Sequence, residues 1–388
     1  MQPTDFTEDR WGELTRAAEG YWAFVPNPLP PTLEPGWELA DQVSEADRAL
    51  GLLAGTATNL PNPHLLIGPF VRREAVLSSR IEGTLASLSD LFFFEAANGP
   101  APDRPQAPDV HEVMNYVRAM EYGLGRLTEL PVSLRLIREL HAKLMEGVRG
   151  ERQAPGEFRR SQNWIGPPGC TLMEASYVPP PVPEMEDALG GFEAYLHAKS
   201  PLPPLVQLAL IHYQFEAIHP FLDGNGRIGR LLISLLLCSE GLLPQPLLHL
   251  SAFFERHRDQ YYGLLLDVSR RGAWLPWILF FLRGVAEQSH DAVARAKRLL
   301  DLWDEYRGQF VAARSSALLL RLVDDLFFYP VVTIPRAAER LGITQRSAAL
   351  NIEKMVNADI LTEVTGRERY KVYVARRIID VVEAQSST

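Results

Sequence analysis

The chain has 388 residues, with 39 Lys and Arg against 48 Asp and Glu, for a formal net charge of −9. Hydrophobic residues at 46% and charged residues at 22% describe a globular protein and exclude a disordered or collagen-like one, while the acidic total excludes a protein that coats nucleic acid. Two cysteines without CxxC spacing, Cys170 and Cys238, exclude a disulfide framework or structural zinc site, and no segment offers the ~18 uninterrupted apolar residues that span a bilayer.

The acidic start, MQPTDFTEDRW, has no apolar run resembling a signal peptide, so a reducing cytoplasm without membrane contact is the expected location. Residues 1–44 are proline-rich, as in PNPLPPTLEPGW, and read as an arm or linker. Apolar residues recur at three and four over 45–53 and 68–94, which predicts helices. A proline-rich break at 98–109 precedes helical stretches near 110–128 and 132–147. Residues 156–181, GEFRRSQNWIGPPGCTLMEASYVPPP, alternate short β-prone runs with Gly and Pro turns and predict a small hairpin. Helical patterning resumes at 183–199, 203–217, 226–240, 258–270 and 273–325.

The last segment predicts helix, Gly turn, a second helix capped by Thr344, and two short strands around Gly366. Residues 331–388 hold nine basic and seven acidic residues, leaving 30 against 41 in the rest of the chain. A small DNA-facing module on an acidic body is compatible with that split.

HPFLDGNGRIGR, His219 to Arg230, is the most informative segment. Gly224 and Gly226 flank Asn225 just ahead of a strongly apolar helical run, which suits a nest of backbone amides at a helix N-terminus. Arg227 and Arg230 sit three apart on the first turns, where cations oppose the helix dipole unless an anion joins them. A polyphosphate fits: amides for one phosphate and guanidinium forks for its neighbours. Asp223 adds a carboxylate suited to Mg²⁺, and His219, if neutral near pH 7, can take a proton from an incoming hydroxyl. The segment is neither a Walker A motif nor a dinucleotide-binding turn. His212 lies seven residues before His219 without a carboxylate-rich ligand set, so no zinc site is expected, and Cys238 reads as a small core residue.

This segment resembles the signature of the Fic family, HxFx(D/E)GNGRxxR, matching it at His219, Phe221, Asp223, Gly224, Asn225, Gly226, Arg227 and Arg230. Fic enzymes commonly transfer AMP from ATP to a protein hydroxyl. The resemblance implies His219 as general base, Asp223 as holder of the divalent ion, Gly224 to Gly226 as anion hole, Arg227 on the phosphates and Arg230 on the γ-phosphate. Upstream, EAVLSSRIEGT (74–84) resembles the family's (S/T)xxxE(G/N) inhibitory motif, through Ser78 and Glu82. Glu82 would then pair with Arg230 and misplace the phosphates of ATP. In some relatives this Glu supports removal of AMP, so the reverse reaction stays open, as does transfer of another nucleotide such as UMP.

The stretch 163–181 resembles the Fic flap, which holds a target segment by strand addition, with Cys170, Leu172 and Met173 at its tip. Tyr261 and Tyr262 fall where relatives place aromatic residues near the nucleotide base, with helical core packing as the rival reading. The tail resembles a winged helix-turn-helix, with Gln345, Arg346 and Ser347 facing a groove and Arg367, Arg369 and Lys371 on the wing; DNA binding and protein docking both stay open.

The resemblance thus implies a mainly α fold: a Fic-associated region with the inhibitory helix over 1–110, a Fic core with its flap over 111–290, a helical linker over 291–330 and a winged helix-turn-helix over 331–388. The expected activity is that of an autoinhibited protein adenylyltransferase using ATP and Mg²⁺, with self-modification and a homodimer both compatible. The alternative is a DNA-binding regulator whose Fic core only senses nucleotide.

Overall fold

The computed structural model describes residues 1–34, 36–58, 64–97, 107–148, 153–312 and 317–384. Most of the proline-rich break expected at 98–109 lies outside these residues. The fold is mainly helical. It opens with an antiparallel hairpin, β1 (Gly12–Arg16) and β2 (Trp22–Pro26), in register from Gly12 opposite Pro26 to Arg16 opposite Trp22. The arm expected over residues 1–44 therefore carries a strand pair.

Helices α1 (Trp37–Thr58), α2 (His64–Ile81), α3 (Leu88–Ala97), α4 (Ala107–Arg126) and α5 (Leu134–Leu144) follow. The Ser133 hydroxyl caps α5 by accepting from the Leu136 amide, and the helix buries the stripe Leu136, Ile137, Leu140 and Leu144. After a long irregular segment come α6 (Val182–His197), α7 (Pro204–Ile218), α8 (Asn225–Ser239), α9 (Ser251–Arg256), α10 (Arg258–Arg271) and α11 (Trp274–Ala312). The helix α7 is apolar on nearly every face and correspondingly buried, so it forms the centre of the core with α8 packed beside it. The loop that joins them, residues 219–224, is thus suspended between two rigid elements.

The chain ends with α12 (Ala317–Phe328), β3 (Val331–Thr333), α13 (Ile334–Leu341), α14 (Gln345–Asn357), β4 (Thr362–Glu363), β5 (Val372–Val374) and α15 (Arg376–Glu383). The three strands form one antiparallel sheet in the order β3-β5-β4. Thr333 and Thr344 cap α13 and α14 through their hydroxyls, which gives the expected helix, turn and helix. Besides the N-terminal strand pair, β3, α9 and α15 were not foreseen. The expected boundary at 290 falls inside α11, which runs unbroken from residue 274 to 312.

The flap departs from its expected form. Its strand pairing contracts to one antiparallel bridge between Ile165 and Tyr177, with a single turn of 3-10 helix at Leu172–Glu174. Pro167, Pro168 and Pro179 to Pro181 have no amide hydrogen, so a longer ladder has too few donors. A small separate core lies beneath it: Tyr21, Ala23 and Phe24 of the N-terminal hairpin pack with Ala175, Tyr177 and Val178, and the Phe24 amide donates to the Val178 carbonyl at 2.9 Å.

The helix α2 is central. It packs on α4, α8 and α9, and on α12 and α15 from the C-terminal segment. Arg295 of α11 is fully buried and ties the end of α15 down, donating to the carbonyls of Val381, Val382 and Ala384 at 2.6, 2.7 and 2.9 Å.

Candidate active site

His219 terminates α7 in the left-handed conformation, with φ 49° and ψ 61°. Such a backbone costs a non-glycine residue about 1–3 kcal/mol and persists only where its surroundings fix it. Here two side chains from the flap's base do so: Arg159 Nε and Asn163 Nδ2 donate to the His219 carbonyl at 3.1 and 3.2 Å. Asn163 also donates to the Phe221 carbonyl at 2.7 Å, and the Arg159 amide to the Pro220 carbonyl at 2.9 Å. Neither residue was singled out from the sequence.

The His219 ring has a defined tautomer. Nδ1 lies 3.2 Å from the Glu216 carbonyl, which can only accept, so Nδ1 carries the proton and Nε2 presents a lone pair. Burial, with a smaller contribution from the Arg159 charge, pulls the imidazole pKa down to about 4 against the opposing Glu216 carbonyl, Glu82 and Asp223. The ring is therefore neutral at pH 7 and competent as a base.

The turn that follows is braced from within. The Asn225 side chain accepts from the Phe221 amide at 2.9 Å and donates to the Phe221 carbonyl at 2.8 Å. Expected as part of a phosphate-binding nest, Asn225 has its side chain committed to the loop, and only its backbone amide is left for an anion. Gly224 takes φ 80° as the N-cap of α8, against the side chains of Met145 and Leu144. The first-turn amides of Asn225, Gly226 and Arg227 have no intrahelical acceptor and face outward along the helix dipole.

A second imidazole supports this turn. His141 stacks on Phe221 at 3.7 Å, accepts from the Gly156 amide through Nδ1 at 2.9 Å, and donates through Nε2 to the Asp223 carbonyl at 3.1 Å. Burial drives its pKa down to about 4, which preserves the neutral form that this arrangement requires.

Arg227 is almost wholly buried. It donates to Glu112 Oε2 on α4 at 3.3 Å and to Asp223 Oδ1 at 3.2 Å. Glu112 was not foreseen, because nothing in the sequence connects position 112 to 227. Asp223 Oδ1 also accepts from the Gly224 amide at 2.6 Å. The Asp223 carboxylate is the lone acidic side chain contributed by the loop, and no group of three or more His, Cys, Asp or Glu side chains suited to a metal occurs among the described residues. One carboxylate plus substrate phosphates and waters is the usual complement for Mg²⁺, so the donor set fits that ion and not a protein-enclosed metal.

Arg230 is fully buried and meets α2 directly. Its Nη2 lies 2.6 Å from Glu82 Oε1 and 3.0 Å from the Ser78 carbonyl, and its Nε donates to the Ser78 hydroxyl at 2.9 Å. Nη1 is buried without a partner. Burial tends to raise the Glu82 pKa, but Arg230, with help from Arg227 and His219, outweighs it and holds the carboxylate below its ordinary value. A methyl on Gly226 would sit 2.3 Å from Glu82 Oε1 and 2.9 Å from Arg230 Nη1, so only glycine lets the two approach over α8. Glu216, beneath them, has one buried oxygen without a partner, and burial pushes its carboxyl up to about 8.

The two tyrosines divide. Tyr261 is wholly buried, its hydroxyl 2.7 Å from His212 Nε2 and its ring stacked on Phe254 at 4.5 Å. It packs the core and has no face to offer a base, which corrects the expectation for that position; Tyr262 is 40% exposed, with the Arg258 guanidinium over its ring at 5.9 Å. On the flap, Leu172 packs on the small core beneath, whereas Met173 is 60% exposed. Cys170 is half-buried, its carbonyl accepting from the Trp164 indole at 3.1 Å. Trp164 and Ile165 of the same segment are exposed as well and add to the apolar surface expected there. In the C-terminal segment Gln345 and Arg346 are exposed and Ser347 donates its amide to the Thr344 cap, while Arg367 and Arg369 are exposed between β4 and β5.

Residues 40–125 match the Fic/DOC family N-terminal region, and residues 131–237, which include the whole His219 to Arg230 loop, match the Fic/DOC family. This part of the chain belongs to the Fic/DOC family. Residues 319–373 match an HTH DNA binding domain. The chain is 30% identical over 184 residues to a protein adenylyltransferase Fic from Aedes aegypti, covering 46% of this chain and 33% of that protein. A protein adenylyltransferase Fic from Drosophila grimshawi is 31% identical over 183 residues, 46% of this chain and 34% of that protein. The chain thus spans about a third of the length of the curated relatives it matches. In fold it resembles a Fic family protein from Desulfovibrio desulfuricans G20, with a TM-score of 0.57 at 18% identity, over 89% of this chain and 98% of that one. Fic-1 from C. elegans gives a TM-score of 0.51 at 20% identity, over 68% and 74%. No helix among the described residues is long and apolar enough to cross a membrane.

Proposed function

We propose that this Fic/DOC protein is a protein adenylyltransferase that moves AMP from ATP to a Ser, Thr or Tyr hydroxyl of a target protein and is held off by Glu82. The observation that carries this reading is the 2.6 Å contact of Glu82 with Arg230 in a site whose histidine is neutral and correctly tautomeric. Similarity to proteins named adenylyltransferase over less than half of the chain supports it further.

In this mechanism the target hydroxyl oxygen attacks the α-phosphorus, its proton passes to His219 Nε2, and the bond from the α-phosphorus to the bridging oxygen breaks, releasing pyrophosphate. Arg227 and the amides at the start of α8 neutralise charge on the phosphates. Asp223 would hold Mg²⁺, which supplies Lewis-acid neutralisation of the departing pyrophosphate. While Glu82 occupies Arg230, that guanidinium cannot take the γ-phosphate and ATP lies out of line with the hydroxyl. The flap's Trp164, Ile165 and Met173 offer the target an apolar docking edge.

The experiment is incubation of the wild-type chain, Glu82→Gly and Glu82→Gly with His219→Ala with labelled ATP, alone and with cell lysate. Label is expected to rise in the first variant and vanish in the second. Absence of transfer in Glu82→Gly, to itself or to any lysate protein, overturns the reading.

The matched HTH domain favours a second reading, a DNA-binding regulator in which the Fic core senses nucleotide. It predicts DNA binding that depends on Arg346 and is indifferent to His219→Ala, with no transfer in any variant.

A further inference from the structure

Two carboxyl groups lie over one face of α8. A β-carbon on Gly226 would meet Glu82 Oε1 at 2.3 Å, and one on Gly229 would meet Glu216 Oε1 at 2.2 Å and Phe215 Cδ1 at 3.2 Å. Residues three apart on a helix share a face, their β-carbons about 5–6 Å from each other, so the two oxygens occupy neighbouring points over the first turns of α8. Neither glycine has a positive φ. Glycine weakens a helix interior, and what it allows at both positions is the close approach of a carboxyl group.

Arg230 reaches the same face, its Nη1 2.9 Å from the β-carbon position of Gly226. Nη1 is buried without a partner among the described residues, and so is Glu216 Oε1. A free donor and a free acceptor, both desolvated, thus lie over adjoining turns, and each is costly while unsatisfied. Arg230 and Glu216 each count among the charged groups that act on the other. The guanidinium is meanwhile committed elsewhere, Nη2 to Glu82 and the Ser78 carbonyl and Nε to the Ser78 hydroxyl. Burial pushes the Glu216 carboxyl up to about 8 against the pull of Arg230, with a smaller push from Glu82. A neutral carboxyl still accepts through its carbonyl oxygen, and it does so without cancelling the charge of the arginine.

We propose that Glu216 is a positioning residue for Arg230: once Glu82 withdraws, the Glu216 carboxyl accepts from Nη1 and holds the guanidinium over α8 while Nη2 turns to the γ-phosphate of ATP. The inference rests on the reading above that Arg230 takes the γ-phosphate in the released state. Glu82 and Glu216 then act on different nitrogens of one guanidinium, the first blocking it and the second aiming it.

The test measures binding and does not depend on transfer. ATP and ADP are titrated calorimetrically, with Mg²⁺, into the full chain carrying His219→Ala to stop turnover. The titrations are repeated with Glu82→Gly added, each time with Glu216 intact or replaced by Ala or Gln. ADP lacks the γ-phosphate and reports any general damage to the site. With Glu82→Gly, ATP is expected to bind more tightly than ADP, and Glu216→Ala to reduce that preference about tenfold with ADP affinity unchanged, as for one lost hydrogen bond to a charged group. Glu216→Gln keeps an acceptor oxygen and is expected to restore the preference. With Glu82 in place, Glu216→Ala is expected to leave the ratio of the two affinities as it was. A ratio indifferent to Glu216→Ala in the Glu82→Gly chain, or equal weakening of ATP and ADP, overturns the proposal. Should Glu216→Ala fail to fold, Gly229→Ala, whose methyl displaces Oε1, is expected to lower the same ratio, and no change there overturns the proposal equally. Absence of any preference for ATP in Glu82→Gly overturns both this inference and the assignment of Arg230 to the γ-phosphate. A Glu216-dependent preference without AMP transfer in Glu82→Gly supports the inference and overturns the adenylyltransferase reading alone.

Discussion

Arg230 gives one nitrogen, Nη2, to both Glu82 and the Ser78 carbonyl, and gives Nε to the Ser78 hydroxyl, while Nη1 stays buried and unpartnered. Contacts to Ser78 of α2 and to Glu82 just past its end hold a guanidinium that retains an unused donor, so this arrangement is stable yet leaves hydrogen-bonding capacity for another acceptor.

Glu82→Gly is therefore expected to raise AMP transfer by about tenfold or more, and to destabilise the fold, because Arg230 stays buried without its counter-charge. Breaking a buried pair costs about 3–5 kcal/mol. The Glu82 side chain is 33% exposed, so solvent screening reduces this to roughly 1–3 kcal/mol. Labelled-ATP assays and urea unfolding check the two effects separately; a variant that is destabilised but no more active would count against the inhibitory role.

Ser78→Ala removes the hydroxyl that accepts from Arg230 Nε and leaves the carbonyl contact in place. A hydrogen bond to a charged group is worth about 1.5–3 kcal/mol, so partial release is expected, with transfer between that of wild type and that of Glu82→Gly.

Asn163→Ala removes the donor shared by the His219 and Phe221 carbonyls. The left-handed backbone of His219 then relaxes, and a fall in kcat of about tenfold or more is expected with little change in KM for ATP, since a small misplacement of a reacting group is expensive. A KM effect of equal size would instead point to a lost substrate contact.

Four buried imidazoles set an acid limit on stability. His141 and His219 have pKa values pulled down to about 4, and His212 and His249 to about 3, from an ordinary 6.5. The unfolded chain takes up these protons first, so their contribution is complete above about pH 6.5 and is lost as pH falls towards 4. Each histidine contributes a slope of about 1.4 kcal/mol per pH unit within that window. Urea midpoints at pH 7 and pH 5 are expected to differ clearly, and equal midpoints would contradict the neutral assignment.

Replacing Arg295 with Met removes the donor to three carbonyls at the end of α15 and the partner of Asp291. A loss of about 3–5 kcal/mol is expected. Trypsin cleavage at Arg376 or Arg377 should accelerate before the core unfolds.

The reacting loop was legible because its chemistry is contiguous: base, carboxylate, glycines and two arginines lie between His219 and Arg230. Glu82 was legible only through a family motif, since no local pattern connects position 82 to position 230. Arg159, Asn163, His141 and Glu112 were illegible for the same reason, each acting on the loop from 56 or more positions away. Tyr261 and Tyr262 show another limit. Neighbours on a helix point about 100° apart, and which of the two turns inward is decided by His212 and Phe254 on other helices. The strand pair at residues 12–26 was hidden among prolines, and α9, at six residues, is too short for a periodic signal.

The flap rests on Tyr21, Ala23 and Phe24, which lie upstream of the family-matched region beginning at residue 40. On the proposed function, catalytic chemistry and target presentation therefore belong to separable parts of this polypeptide. A graft of residues 40–237 onto another scaffold would carry the His219 to Arg230 loop and helix α2, but would leave behind the floor on which the flap stands. If the flap receives the target as proposed, changes in the first 30 residues would alter substrate choice without altering a single reacting group.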